Sequence, residues 1–192
     1  MVRPLEFDRA AAPDQALALF WDKGYQAGTV AELLDVMGIG RSSFYAAFGD
    51  KRGLFIECLD EFARRARALL ERARRERPPL DALRFFFENV GATAPPKGAH
   101  LGCLLINTVL EMAGVDDDLV RRANVHLLDL EASFADCLCA AGCAPPRAAE
   151  LAAMLTLVNE GVRVSNRRRL SAAKQLAPIR TTFELIAREL SR

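Results

Sequence analysis

The sequence predicts an all-α protein of about nine helices, a small N-terminal unit of three helices joined to a larger helical domain. Three observations point there. Apolar residues recur three and four apart through most of the chain, the spacing that puts them on one face of a helix. No stretch alternates with the period of two that a half-buried strand needs. The segments are punctuated by helix stops, at Gly38-Ile39-Gly40, Pro78-Pro79 and the run from Gly142 to Pro146. The chain has 192 residues, enough for one substantial core or two small domains. Hydrophobic residues make up 51% and charged residues 27%, which excludes a disordered chain.

The elements follow in order. Leu5 and Phe7 are expected to pack on the helices after them. The first helix runs to about Lys23 with Leu17, Phe20 and Trp21 inward and Gly24 as its stop. Pro13 fits only the first turn of a helix, so the helix starts near it or is broken there. Val30, Leu33, Leu34 and Met37 share one face of a second helix, with Thr29 able to cap its first turn. Gly38-Ile39-Gly40 makes the turn, and Ile39 can plug the crevice between helices. A short third helix spans Arg41 to Phe48. Phe44 and Phe48 point inward, which leaves Arg41, Ser42, Ser43 and Tyr45 on the outer side near its N-terminus. Asp50-Lys51 opens a long helix to about Arg77, with Leu54, Phe55, Cys58, Leu59 and Phe62 as its buried stripe.

Further helices are expected from Leu80, from Gly102 to Met112 (apolar on nearly all sides and so buried), from Asp116 to about Ala141, from about Arg147 to Arg163, and from about Pro178 to the C-terminus. TAPPKGAH reads as a loop. The arginines from Arg64 to Arg77 read as a solvated face with Glu71 and Glu76 interspersed rather than as DNA contacts. The Arg167–Arg169 cluster follows the penultimate helix.

Residues 29–48 thus read as a helix-turn-helix whose second helix has the shape of one that enters the major groove. The stretch resembles the DNA-binding domain of the TetR family of transcriptional regulators. The resemblance is carried by ALALFWDKGYQAGTV, by the turn and helix MGIGRSSFYAAF, and by FGDKRGLF. Pro13 departs from the family's pattern, where a helix-compatible apolar residue is usual. The resemblance implies a DNA-binding domain at residues 1–50 and a ligand-binding and dimerisation domain at residues 51–192. It also implies a homodimer on a palindromic operator, repression as the usual outcome, and release by a small-molecule effector whose binding swings the long helix at Lys51–Arg77.

Phosphate contacts fix register and base-edge contacts read sequence. Arg41, Ser42 and Ser43 are expected to read bases, Arg41 by bridging guanine O6 and N7. Tyr45 reaches a base methyl or a phosphate, or packs into the core. The Thr29 hydroxyl, the amides at the start of its helix, and Lys51 suit phosphates. Net charge is +1, and residues 1–52 carry six Lys/Arg against seven Asp/Glu. Attraction to DNA must therefore come from where charges sit, not from their number. Two stripes suit the dimer interface that the resemblance places on the last two helices: Leu151, Met154, Leu155 and Val158, then Phe183, Ile186, Ala187 and Leu190. Periodicity alone cannot tell these from stripes facing their own core. Candidate pocket residues are Phe86, Asn89, Cys103, Asn107, Met112, His126, Phe134 and Asn159.

Five cysteines at irregular spacing suggest reduced thiols. Cys103 begins a helix, a position that favours thiolate, and the family resemblance implies an oxidant- or electrophile-sensing role for a cysteine at such a place; inert burial is the alternative. Cys137, Cys139 and Cys143 cluster, with Cys139 and Cys143 on one face near a helix end, but Cys137 points elsewhere and a closed zinc site wants four ligands, so a metal sensor stands as an alternative and no metal site is expected. Cys103 with His100 or His126 lacks a third orienting group, so no enzyme and no cofactor are expected. A helical adaptor without DNA binding is the remaining rival. The N-terminus has no apolar leader stretch, and no run approaches membrane length. A cytoplasmic regulator with no membrane partner is the expectation.

Overall fold

The computed structural model describes residues 9, 12–89, 101–166 and 171–191, and among them it contains nine helices and no strand. They are α1 (Ala12–Ala27), α2 (Val30–Met37), α3 (Arg41–Phe48), α4 (Lys51–Glu76), α5 (Pro79–Asn89), α6 (Leu104–Met112), α7 (Asp117–Ala140), α8 (Pro145–Asn166) and α9 (Ala172–Leu190). Leu5, Phe7, the TAPPKGAH loop with His100, and Arg167–Arg169 lie outside the described residues.

Pro13 stands in the first turn of α1, where its missing N–H costs nothing. Gly24 ends the regular part of that helix at φ 82. Asp50 caps α4 by accepting from the Gly53 amide, and Asp116 caps α7 by accepting from the amides of Asp118 and Leu119. Three boundaries differ from expectation. α8 begins at Pro145, because two prolines are tolerated where no intrahelical N–H is needed. α6 begins at Leu104 with Cys103 as its N-cap, and Leu110 on it is 71% exposed, so one side of this helix meets solvent. α9 begins at Ala172, six residues before Pro178, which sits inside it. Packing of Ile179, Phe183 and Ile186 in the core outweighs the lost hydrogen bond.

The apolar residues form two cores. The first joins α1, α2 and α3 to the first half of α4, to α6 and to the start of α7, through Phe20, Leu33, Phe44, Phe55, Leu104 and Leu119 among others. The second joins the rest of α4 and α7 to α5, α8 and α9, through Leu70, Phe86, Phe134, Leu155 and Phe183. α4 belongs to both. Arg52 on its first turn pairs with Asp116 at 2.8 Å, and Asp60 further along meets His126 of α7 at 2.8 Å.

The corner between α3 and α4 is tight. Gly49 turns it at φ 75, and a Cβ on Gly53 would stand 2.2 Å from the Phe48 carbonyl oxygen. Alanine is better than glycine in a helix by about 1 kcal/mol, but the clash is with backbone and cannot relax cheaply. Gly53→Ala is therefore expected to destabilise the protein by about 1–3 kcal/mol, read as a melting midpoint lowered by several degrees. An unchanged or raised midpoint would show that the corner opens freely.

Candidate nucleic-acid interface

The interface is built from α2, the turn and α3. Thr29 caps α2 in a reciprocal box: its Oγ1 accepts from the Glu32 amide at 3.3 Å, and its own amide donates to Glu32 Oε2 at 3.0 Å. Leu33 and Met37 are buried on the inner face, while Val30 and Leu34 are half-buried. Gly38 adopts the left-handed conformation at φ 64, which a side chain resists. Ile39 is 8% exposed and plugs the turn.

α3 is fixed from behind. Phe44 is fully buried and Phe48 nearly so, their centroids 5.7 Å apart. With that face fixed, Arg41, Ser42 and Tyr45 are exposed, and Ser43 is half-buried. The Tyr45 ring stands edge-on to Phe44 at 5.3 Å yet stays 43% exposed, so Tyr45 is not a core residue. Arg41 has no ion-pair partner among the described residues. Gly40 gives α3 no side-chain cap, which leaves its first amides open to an acceptor.

The expected phosphate residues are more engaged. The Thr29 hydroxyl donates to Glu32 Oε2 at 2.9 Å, besides accepting from the Glu32 amide. Lys51 lies over the Tyr25 ring at 4.6 Å and donates to the Gln26 carbonyl at 3.3 Å; burial lowers its pKa. It is half-buried rather than a plain exposed lysine. Two residues absent from the sequence reading brace the unit. Arg9 donates to Glu57 and to the Ala47 carbonyl while stacking over Phe48 at 4.3 Å. Glu111 of α6 accepts from the amides of Tyr25 and Gln26 at 2.9 and 2.8 Å, tying α6 to the link between α1 and α2. Such pairs, 48 and 86 residues apart, leave no local pattern.

The arginine face of α4 is spent on neighbouring carboxylates. Arg64 and Arg65 pair with Glu61, and Arg74 with Glu71. The candidate pocket residues do not converge on one cavity. Phe86 and Phe134 pack on each other at 5.6 Å in the second core, and Met112 fills the first. Asn89 donates to the Phe85 carbonyl one turn back, and His126 is held by Asp60. Cys103 and Asn107 line one cavity together, and Asn159 bonds Arg163 at its edge. On the last two helices Leu151, Leu155, Phe183 and Ile186 are buried in their own core, and Val158, Ala187 and Leu190 are partly buried. Met154 is exposed, as are Leu157 and Leu185 outside those stripes.

Cys103 does not carry the thiolate that its place at a helix start suggests. Burial pushes its pKa up and outweighs the lowering by Arg163 and by the amides of Ile106 and Leu105. Burial likewise raises Cys137 to about 11. Cys139 is the exposed cysteine. No group of three or more His, Cys, Asp or Glu among the described residues could hold a metal ion.

A short helix anchored by two phenylalanines, with an arginine, two serines and a tyrosine at its free end, has the form of the recognition element of a helix-turn-helix DNA-binding protein. Comparison with known proteins narrows the class. Residues 14–58 match the model of bacterial regulatory proteins of the tetR family, and residues 79–180 match the LmrA/YxaF-like transcriptional regulator C-terminal domain. The HTH-type transcriptional repressor ComR of Escherichia coli is 30% identical over 190 residues, covering 95% of this chain and 90% of its own. A TetR-family regulator from Streptomyces coelicolor superposes with a TM-score of 0.83 at 18% identity, with 96% of each chain covered. The regulator CifR, solved as a cysteine mutant with 26-base-pair operator DNA, superposes with a TM-score of 0.74 at 26% identity, covering 95% of this chain and 98% of that one. The chain belongs to the TetR family of DNA-binding transcriptional regulators.

Two outcomes follow from the charges here. Lys23 and the Thr29 amide and hydroxyl hold the Glu32 carboxyl down to about 2. A lowered pKa stabilises the fold above the ordinary carboxylate range, and that contribution is lost as pH falls toward about 2. Urea unfolding of wild type and Glu32→Gln should therefore differ at neutral pH and converge in acid; a gap that persists in acid would show that the cap does not depend on the charge. Alkylation by iodoacetamide at neutral pH, followed by mass spectrometry, should label Cys139 well before Cys103. Faster labelling of Cys103 would mark it as a reactive thiolate after all.

Proposed function

We propose that this protein is a cytoplasmic repressor that binds a palindromic operator as a homodimer and is released by a small-molecule effector. The observation that carries the reading is the outward presentation of Arg41, Ser42, Ser43 and Tyr45 on a helix held immobile by Phe44 and Phe48. Arg41 without an ion-pair partner is free to bridge guanine O6 and N7. Ser42 and Ser43 add base-edge contacts, and Tyr45 reaches a methyl group or a phosphate. The open amides at the start of α3 suit a backbone phosphate, as does the Thr29 hydroxyl once it lets go of Glu32. Lys51 joins them by exchanging its Gln26 carbonyl for a phosphate oxygen.

One such domain reads only a few base pairs, so two are needed, related by a two-fold axis. Met154 and Leu157 of α8 with Leu185 of α9 offer the exposed apolar surface for a partner, supported from within by Leu151, Leu155, Phe183 and Ile186. ComR is named a repressor, and CifR was solved on operator DNA, which supports both parts of the reading. Release by an effector means different effector affinity in the bound and free arrangements of the two recognition helices. α4, shared by both cores, is the element that would carry the difference. No helix among the described residues is long and apolar enough to cross a membrane.

Selection of bound sequences from random DNA tests the proposal. It should enrich an inverted repeat with half-sites about one helical turn apart, with binding that weakens steeply as salt rises. Arg41→Ala should cost about 1–3 kcal/mol and relax the preference at one position of each half-site. No enrichment at low salt would reject DNA reading and leave a helical adaptor; enrichment of a lone half-site would reject the dimer.

A further inference from the structure

A cavity of about 380 Å³ lies where the end of α1, one side of α6 and the end of α8 meet. It is within the size range of small-molecule sites. Its walls include apolar surface from Trp21, Ile106 and Leu110. They also include Arg163, which is 4% exposed. The Arg163 Nε donates to Asn159 Oδ1 at 3.3 Å, and no carboxylate pairs with the guanidinium among the described residues. Its remaining N–H donors have no protein acceptor there. Burial lowers its pKa to about 10, so it stays charged at neutral pH. The charge that acts on it is that of Cys103, which raises its pKa less than burial lowers it, and burial in turn raises the Cys103 thiol.

Trp21 lines the same space. Trp21 is 2% exposed, and its Nε1 is the buried side-chain N or O atom without a hydrogen-bond partner among the described residues. A buried cation without an anion, and a buried N–H without an acceptor, each cost stability. A buried guanidinium with no carboxylate partner at the wall of a cavity is the mark of a site shaped for an acceptor that is not part of the chain.

We propose that this cavity binds a small organic monocarboxylate, its carboxylate taking hydrogen bonds from the Arg163 guanidinium and its apolar body lying on Trp21, Ile106 and Leu110. A planar carboxylate matches the guanidinium fork. Asp22 and Glu111 also line the cavity, together with Lys23, whose ammonium is already paired with Glu32, so the two carboxylates disfavour a phosphate dianion more than a single negative charge. The position has a consequence for DNA reading, which rests on the effector reading given above. Glu111 ties α6 to the amides of Tyr25 and Gln26, just before the helix-turn-helix. A negative charge entering the cavity that Glu111 also lines opposes the Glu111 carboxylate and weakens that tie, so ligand and operator oppose each other through linkage.

Trp21 is the only tryptophan, so its fluorescence reports on the site without DNA. The full-length protein is titrated with matched acids and amides: acetate to decanoate, benzoate, phenylacetate and indole-free arylpropionates, each against its neutral amide. At least one acid should change Trp21 emission saturably at millimolar concentration or below, with its amide weaker by about tenfold or more. Arg163→Met should abolish the acid preference, and Arg163→Lys should restore part of it. Without ligand, Arg163→Met should melt at the same or a higher temperature, because it removes an uncompensated buried charge. No response to any acid, equal response to amides, or a clear loss of stability in Arg163→Met would each overturn the site. Acid binding that leaves operator affinity unchanged would keep the site and reject the regulatory coupling. Operator binding with no acid response would reject the site and keep the DNA reading.

Discussion

Everything the protein presents to DNA depends on Phe44 and Phe48 being buried. α3 has only two turns, too few to hold its shape alone. Its orientation is set by two rings a turn apart, both sunk in the first core, with Phe44 beside Tyr45 and Phe48 beneath the Arg9 guanidinium. Once that face is fixed inward, the helical period leaves Arg41, Ser42 and Tyr45 outward, whatever their own preferences. The glycines on either side serve the same end. Gly38 lets α2 stop sharply, and Gly53 lets α4 start against the Phe48 carbonyl.

α4 couples this unit to the rest because it lies in both cores. Its first half covers Phe20 and Phe44, and its second half covers Phe86 and Phe134. The pairs Arg52–Asp116 and Asp60–His126 fasten it to α7 at two points. Glu111 makes a third connection, from α6 to the link before α2. The position of the recognition helix therefore follows from the packing of the larger domain as well as from its own.

Much of this was legible in the sequence, for a physical reason. Helical periodicity marks the inner face of α2, α3 and α4 directly, and Thr29, Gly38 and Asp50 mark their ends with residues whose chemistry allows little else. What was not legible depends on partners far along the chain. Periodicity places Leu151, Leu155, Phe183 and Ile186 on apolar stripes but does not say what covers them; their own core does. Pro178 reads as a helix start, yet long-range packing carries α9 through it. The helix-start position of Cys103 suggests a thiolate, while its burial, invisible locally, decides the opposite. Arg9, Glu111 and the unmet donors of Arg163 and Trp21 carry no local signature at all.

The first core also bears on how the chain matures during synthesis. The helix-turn-helix is made first, but Leu104, Leu105, Met112 and Leu119, which complete its apolar interior, are added long afterwards. Until α6 and the first turn of α7 have left the ribosome, the DNA-reading helices have an uncovered inner surface and no Glu111 to hold their link. Contacts this distant in sequence form late. The nascent N-terminus thus lacks part of its core until the middle of the chain has been made, and a half-made regulator has little means of occupying an operator.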